Sequence, residues 1–97
     1  MRIIARKTLV DFWEKYPDSE EPLKAWFKVA KEAEWRNPRD VKAQYANASV
    51  LKDGRTVFNI AGNKYRLVVW INYDYSVVYI RFIGSHKEYD EIDVQTV

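Results

Sequence analysis

A histidine among charged residues is the first feature of this sequence that could do chemistry. His86 is the only histidine in the chain, and it follows an apolar run that ends at Gly84. Histidine exchanges a proton near neutral pH, and side chains placed just after a strand are often presented to a substrate. The neighbours that could tune or orient its ring are Lys87, Glu88, Tyr89 and Asp90. An inert surface histidine is the competing interpretation, because one histidine satisfies no catalytic motif by itself.

Two arginines in predicted strands are the second such feature. In the run from residue 64 to residue 73, alternation places Arg66 on one face together with Trp70. A guanidinium between apolar neighbours is unfavourable unless it is paired or reaches water. Arg81 lies in the next strand, and the strand register decides whether it approaches Arg66. The structural interpretation of either arginine is a salt bridge to an acid such as Asp90 or Asp93.

Composition excludes most metal and cofactor chemistry. The chain has no cysteine, which excludes thiolate zinc sites, iron–sulfur clusters and thiol nucleophiles. His86 and Asp90 have the spacing of two ligands on one helical turn, but no third ligand is evident. No glycine-rich phosphate loop, HExxH motif or GxSxG motif occurs. We therefore expect neither a metal nor a cofactor.

Length and composition predict one globular domain over residues 1–97. Hydrophobic side chains make up 47% of the chain and charged ones 31%, an ordinary globular balance. No apolar run is long enough to span a membrane, so we expect a cytoplasmic protein without a membrane partner. The net charge is only +2, but residues 52–87 carry six cations and two acids, and residues 88–93 carry four acids. A basic segment therefore meets an acidic one just after His86.

The first half of the chain predicts two antiparallel helices and a short third one. Pro17 should end the first helix, and Asp18 offers an N-cap for the second with Glu21 as its capping-box partner. Asn37 and Pro38 favour the start of a third helix that runs to about Ala46. The apolar faces of the first two helices are Leu9, Phe12, Trp13 and Tyr16, then Leu23, Trp26, Phe27 and Ala30.

The second half predicts an antiparallel meander. Turn signals at residues 53–54, 62–63 and 74–76 separate a short strand at 49–51 from strands at 56–60, 64–73 and 77–83. The run at 64–73 is apolar on both faces, which is typical of a central strand. The polar segment at 85–93 is either a loop or one helical turn. The predicted class is α+β, with the helical hairpin packed on one face of a twisted, mostly antiparallel sheet.

Aromatic residues amount to 15% of the chain, and rings interleaved with cations suit the unstacked bases of single-stranded RNA. Most of these rings fall on the predicted apolar faces. The remaining candidates for a stacking surface are Tyr45, Trp70, Tyr75 and Tyr89.

Three sequence blocks in the second half form a recognisable pattern. They are VFNIAGNKYRL at 57–67, INY at 71–73 and YIRFIGSHKEYD at 79–90, preceded by WRNP at 35–38. Together they resemble the HigB-type toxins of bacterial type II toxin–antitoxin systems. The resemblance implies a RelE/ParE-like fold and an mRNA interferase, an endoribonuclease that inhibits translation by cutting mRNA, in many relatives while the mRNA occupies the ribosome. It also implies a cognate HigA-like antitoxin with a helix-turn-helix.

The resemblance also implies roles for individual residues. The 2′-OH of RNA attacks the adjacent phosphate, so the enzyme must move two protons and stabilise charge, without a metal. Arg66 and Lys64 would stabilise the phosphate charge, and His86 would transfer a proton as general acid. Tyr89 would stack on a base or bond the attacking sugar, and Asp90 would orient the histidine. Further residues expected to contact RNA are Asn63, Arg81 and Lys87; the general base stays unassigned.

Two other functions fit the same fold. A ParE-like inhibitor of DNA gyrase acts by binding and needs no proton-transfer residue. A small RNA-binding module would contact RNA without cutting it. His86 discriminates between catalysis and the other two functions.

Overall fold

The sheet is mixed, and its central strand is β4. A computed structural model describes residues 1–97, with strands in the order β1-β5-β4-β3-β2. Neighbouring strands are antiparallel except β1, which pairs in parallel with β5. The strands are β1 (Arg2–Ile4), β2 (Ser49–Val50), β3 (Arg55–Ile60), β4 (Tyr65–Asn72) and β5 (Val77–Ser85).

Four helices complete the fold. They are α1 (Arg6–Lys15), α2 (Glu20–Glu32), α3 (Pro38–Gln44) and α4 (His86–Asp90), with a 3₁₀ turn at Pro17–Ser19. Asn37 caps α3 as predicted, because its side-chain oxygen accepts the Asp40 N–H at 3.1 Å. None of these helices is long and apolar enough to cross a membrane. The predicted α+β arrangement, with a helical hairpin before the meander, is confirmed.

One face of the sheet packs on the helices and forms the core. The predicted alternation of β4 is confirmed, because Tyr65, Leu67, Val69 and Ile71 are all at most 3% exposed within this core. Their helical partners include Leu9, Trp13, Leu23, Trp26 and Ala30. Burying each large apolar side chain contributes about 1.5–3 kcal/mol to folding. This burial therefore fixes which residues of β4 must point away from the helices.

The opposite face, which we call the open face, carries the polar candidates. Its cross-strand members are Arg55, Val57 and Asn59 of β3, Arg66, Val68 and Trp70 of β4, and Tyr79, Phe82 and Gly84 of β5. The face is not fully open, because Val57 and Val68 are buried outside the core cluster. Arg55 Nη2 donates to the main-chain oxygen of Val97 at 3.3 Å, so the end of the chain returns to this face.

Strand β1 was not predicted from the sequence. The sequence predicts no strand before the first helix, whereas the structure pairs Ile3 and Ile4 with Val78 and Tyr79. Parallel pairing across so long a separation leaves no turn signal and no local periodicity. Only the tertiary structure shows that these residues extend the sheet.

The turn before β3 requires a glycine more strictly than the turn before β4. Gly54 has φ +83°, and a Cβ there would lie 2.7 Å from the main-chain oxygen of Ile71. Gly62 has φ +68° and no atom within 4 Å of such a Cβ.

We predict that Gly62→Ala lowers the free energy of unfolding by about 1–2 kcal/mol. Gly54→Ala should lower it by at least about 1 kcal/mol more. Urea denaturation measures both, and equal losses would contradict this account.

Candidate active site

Arg66 lies on the open face near the start of β4. Its Cα is paired with that of Gly84 in β5 and that of Asn59 in β3. The side chain is half-buried, and its Nη1 donates to the main-chain oxygen of Asn63 at 3.1 Å. None of the four ion pairs in the chain contains an arginine, so the structural salt bridge considered for Arg66 and Arg81 is absent. Arg66 therefore keeps a positive charge with no anionic partner.

His86 is the first residue of α4, directly after β5. A capping box fixes this helix, because Ser85 Oγ accepts the Glu88 N–H at 3.1 Å and Glu88 Oε1 accepts the Ser85 N–H at 2.9 Å. The hydrogen bond from the Ser85 backbone favours the charged carboxylate and lowers the pKa of Glu88. Of the loop and the helical turn that the sequence left open after Gly84, the structure has the helical turn.

Two contacts set the position of His86 itself. Its main-chain N–H donates to the oxygen of Lys64 at 3.2 Å, which extends the β4–β5 pairing by one step. Its Nδ1 lies 3.1 Å from Asp90 Oδ2, the contact that the sequence suggested. With Nδ1 engaged, Nε2 is the ring nitrogen available to a ligand. Arg66 and His86 thus share one end of the β4–β5 pair.

Lys64 forms an ion pair with Asp18, an acid that the sequence predicted as the N-cap of the second helix. Its Nζ pairs with Asp18 Oδ2, and Asp18 Oδ1 accepts the Tyr65 hydroxyl at 2.6 Å. The prediction that Asp18 caps α2 is wrong, because the helix begins at Glu20 and Ser19 occupies its N-cap without a side-chain bond. Tyr65 is buried and its hydroxyl needs a partner, which explains why Asp18 turns to the sheet.

The Asp18 contacts shift three pKa values. Hydrogen bonds from Lys64 and Tyr65 hold the pKa of Asp18 below its usual 3.8. The hydrogen bond to Asp18 raises the pKa of Lys64 above 10.5 and that of Tyr65 above 10.0. Each of these pKa shifts favours the protonation state in which the side chain forms its hydrogen bond. An anionic ligand of Lys64 must therefore compete with the Asp18 carboxylate.

A β-bulge leaves Arg81 outside the pairing of β4 with β5. The register shifts between Val68 and Val69, so Arg81 has no direct partner in β4. Its Cζ lies 5.7 Å from the centre of the Tyr79 ring. Tyr79 is opposite Trp70, about 13 Å along β4 from Arg66. The structure therefore does not bring the two guanidinium groups together.

The remaining site candidates are divided between α4 and the β3–β4 turn. Tyr89 is half-buried and Lys87 is exposed, and neither side chain forms a hydrogen bond within the chain. Tyr89 lies three residues after His86, so both project from neighbouring positions of α4, whereas Lys87 does not share that face. Asn63 lies in the turn and contacts Arg66 through its main-chain oxygen.

The four rings proposed for stacking do not form one surface. Tyr45 packs against Phe58 with ring centres 5.1 Å apart. Trp70 donates from Nε1 to the main-chain oxygen of Asp53 and packs on Tyr79. Tyr75 is 80% exposed, but it lies in the β4–β5 turn at the far end of the strands from His86. Only Tyr89 adjoins the histidine.

A cleft of about 430 Å³ lies beside Arg66. It is bounded by the segment at 44–48, the edge of β3 and the β3–β4 turn. Asn59 and Asn63, which flank Arg66 in the pairing described above, line this cleft. No group of three or more His, Cys, Asp or Glu side chains is placed to hold a metal ion.

Comparison with known proteins identifies the family. Residues 19–92 match the HigB toxin family, described as the RelE-like toxic component of a toxin–antitoxin system. This chain belongs to the HigB toxin family. The mRNA interferase toxin HigB of Escherichia coli (strain K12) is 34% identical over 92 residues, covering 93% of this chain and 88% of the relative. The same values hold for the mRNA interferase HigB of Shigella flexneri. The mRNA interferase HigB of Escherichia coli O6:H1 is 26% identical over 94 residues, covering 95% and 91%.

Two residues near the site of this HigB family member were missed from the sequence. Asn59 is the cross-strand partner of Arg66. The sequence contains a signal for this pair, because the position of the Gly62-Asn63 turn determines which residues of the two strands lie opposite each other. Asp18 had no such signal, because its spacing to Glu21 imitates a capping box. Its contact with Lys64 spans 46 residues and depends on how α1 and α2 pack on the sheet.

The lowered pKa of Asp18 predicts a specific dependence of stability on pH. A carboxylate whose pKa is depressed by folding stabilises the protein above its unfolded pKa, and this stabilisation is lost as the pH falls through the folded value. We expect Asp18→Asn to destabilise the protein at pH 7, and the difference from wild type to shrink below about pH 3.8. Urea denaturation at a series of pH values from about 2.5 to about 7 measures this difference in the free energy of unfolding.

Asp11→Asn is the matched control for this prediction. Asp11 pairs with Lys7 on the exposed surface of α1 and has no buried tyrosine as a second partner. Exposed pairs of this kind contribute little to stability, so the control should stay close to wild type at each pH. A loss in Asp18→Asn that is the same at every pH would contradict the assignment.

Proposed function

We propose that the protein is an mRNA interferase in which Arg66 and His86 act on one phosphodiester of the RNA. The curated relatives named above carry that activity in their names. The observation that carries the site assignment is the β4–β5 register, which pairs Arg66 with Gly84 and bonds the His86 N–H to Lys64. A guanidinium with no anionic partner and a histidine at the same end of one strand pair are two groups that phosphate chemistry can use.

The proposed reaction uses the 2′-OH of the RNA as nucleophile. Its oxygen forms a bond to the adjacent phosphorus, its proton passes to a base, and the bond from phosphorus to the 5′ oxygen breaks. His86 gives the 5′ oxygen a proton from Nε2, and the Asp90 carboxylate orients the ring through Nδ1. The products are a 2′,3′-cyclic phosphate and a 5′-hydroxyl. Arg66 stabilises the charge that develops on the phosphate.

Other residues in the proposal bind rather than transfer protons. Tyr89 contacts the sugar or stacks on a base next to His86, and Asn63 contributes at the turn that Arg66 reaches. Lys64 contacts phosphate after exchanging its Asp18 partner for the anion. Additional cations for the RNA backbone are Arg81 and Lys87. No metal or cofactor enters this scheme, because the nucleophile belongs to the substrate.

The toxin family implies an antitoxin partner. We propose that this partner is a HigA-like helix-turn-helix protein that covers the site or clamps the basic strands. We also propose that the protein acts as one domain in the cytoplasm, on mRNA bound to the ribosome. The net charge of +2 supports this last point, since a protein with so weak a field gains from a substrate that is already positioned.

Removal of either the His86 or the Arg66 side chain should lower the cleavage rate strongly. We predict that His86→Ala lowers the rate of RNA cleavage about 100-fold to 10,000-fold. Arg66→Ala should lower it about 100-fold to 1,000-fold, because it removes charge stabilisation at the phosphate. Induction of the wild-type protein should arrest growth and create new 5′ ends in mRNA by primer extension, and neither variant should do so. Both variants should still bind the antitoxin.

Arg39→Ala is the control for lost charge, because Arg39 is an exposed arginine on α3 away from the site. It should cleave RNA like wild type. Growth arrest that survives both His86→Ala and Arg66→Ala would exclude the nuclease and favour inhibition of DNA gyrase. RNA binding by the wild type without new 5′ ends would favour a non-catalytic RNA-binding module.

The chemistry of the product ends gives an independent test. Attack by the 2′-OH predicts a 5′-hydroxyl on the downstream fragment. Labelling with polynucleotide kinase, before and after phosphatase treatment, identifies that end. A 5′-phosphate would show that a metal-activated water is the nucleophile instead.

A further inference from the structure

The cleft beside Arg66 contains unused hydrogen-bonding side chains. The chain has five asparagines. Two of them support local structure, because the side chain of Asn37 caps α3 and that of Asn72 accepts the Tyr75 N–H. The other three, Asn47, Asn59 and Asn63, all line this cleft, and their side-chain amides form no hydrogen bond within the chain. We call it the amide cleft.

The edge of β3 adds main-chain groups to the amide cleft. Strand β2 pairs with β3 only at Thr56 and Val57, so no strand covers residues 58–60 on that side. Such an edge presents N–H and C=O groups to whatever lies beside it. The segment at 44–48 runs opposite this edge and closes the other side of the cleft. The cleft thus offers main-chain and side-chain hydrogen bonds together.

Aromatic rings supply the apolar part of the amide cleft. The accessible ring is that of Tyr45, which packs on the buried Phe58 with ring centres 5.1 Å apart and an interplanar angle of 76°. Tyr45 is half-buried, and burial raises the pKa of its hydroxyl. A volume of about 430 Å³ is at the lower end of small-ligand sites, which range from about 300 to 1,000 Å³. It suits one planar group.

The amide cleft adjoins the phosphate site directly. Asn59 is the cross-strand partner of Arg66, which sets their Cα atoms about 4.5–5.5 Å apart. The main-chain oxygen of Asn63 accepts a hydrogen bond from the Arg66 guanidinium, and Asn63 also lines the cleft. In a nucleotide the base is joined to the phosphate through a single ribose. A nucleotide whose phosphate binds Arg66 can therefore place its base in the cleft.

We propose that the amide cleft binds one base of the RNA strand next to the scissile phosphate and selects it by its hydrogen-bonding edge. This inference rests on the proposed ribonuclease function and adds a specificity site to it. Each asparagine amide presents both donors and an acceptor, as the edges of bases do. Proteins read single-stranded RNA in this way, by bonding the base edges and stacking the base on aromatic rings. Asn47 and Asn59 are the specificity-determining residues.

Direct binding tests the proposal without requiring cleavage. The probes are four single-stranded RNA trinucleotides of one base each, with 2′-O-methyl sugars that remove the attacking hydroxyl. Fluorescence anisotropy gives the Kd of each probe for the folded protein. Wild type should prefer one base over the others. Asn47→Ala and Asn59→Ala should each reduce that preference at least about fivefold, the smaller end of what one paired amide contributes in base recognition.

Two further variants make the result specific. Gln95→Ala removes an exposed amide outside the cleft and should keep the wild-type preference. His86→Ala should also keep the preference while losing cleavage. On cleavable RNA, sequencing of the new 5′ ends should show a broader choice of base in Asn47→Ala and Asn59→Ala. Their losses on cleavable RNA should appear in KM rather than in kcat, because they lose binding rather than chemistry.

The outcomes separate this inference from the proposed function. Equal binding of the four probes by wild type would overturn the base site, and so would Asn47→Ala and Asn59→Ala variants that keep the wild-type preference. A wild type that cleaves RNA in that case leaves the ribonuclease intact. A wild type that cleaves neither free RNA nor mRNA on ribosomes, but whose base preference depends on Asn47 and Asn59, contradicts the ribonuclease and supports the base site.

Discussion

The antiparallel pairing of β4 with β5 is the constraint on which the rest of the structure depends. The paired residues run from Asn72 and Val77 at one end to Tyr65 and Ser85 at the other, and the His86 N–H extends the ladder to Lys64. These main-chain bonds bring residues twenty positions apart in sequence to neighbouring positions. The imidazole and the guanidinium of Arg66 lie at one end of the sheet for this reason, without a dedicated contact between them.

The sequence predicted what local rules decide. Alternation identified the two faces of β4, and the Gly62-Asn63 turn fixed the hairpin, because a period of two and positive φ leave local signals. Arg81 could not be placed in this way, since a β-bulge adds a residue to β5 with no clear mark in the sequence. Asp18 resembles a helix N-cap in the sequence, because an aspartate carboxylate can either cap a helix or accept hydrogen bonds from distant side chains. Its choice of Lys64 and Tyr65 depends on packing between distant segments.

The cations near the site differ in how available they are. Lys64 is already neutralised by Asp18, whereas Arg66 contacts only a main-chain oxygen. The count of basic residues at 52–87 therefore overstates the charge offered to a polyanion. An arginine keeps its proton at any physiological pH and can bind phosphate through two parallel hydrogen bonds. Arg66, which has no anionic partner, is thus the cation that binds phosphate more readily. Lys64 can bind phosphate only after its contact with Asp18 breaks.

Burial on the core face holds this site in register. A slip of β4 by one residue would turn Leu67 and Val69 toward the open face and Arg66 toward the helices. Each exposed apolar side chain would cost about 1.5–3 kcal/mol, and a guanidinium without a partner in the core would cost more. On β5, Ser85 belongs both to the strand and to the capping box that starts α4. The position of His86 is therefore determined by the same hydrophobic contacts that fold the sheet, although none of them touches the histidine.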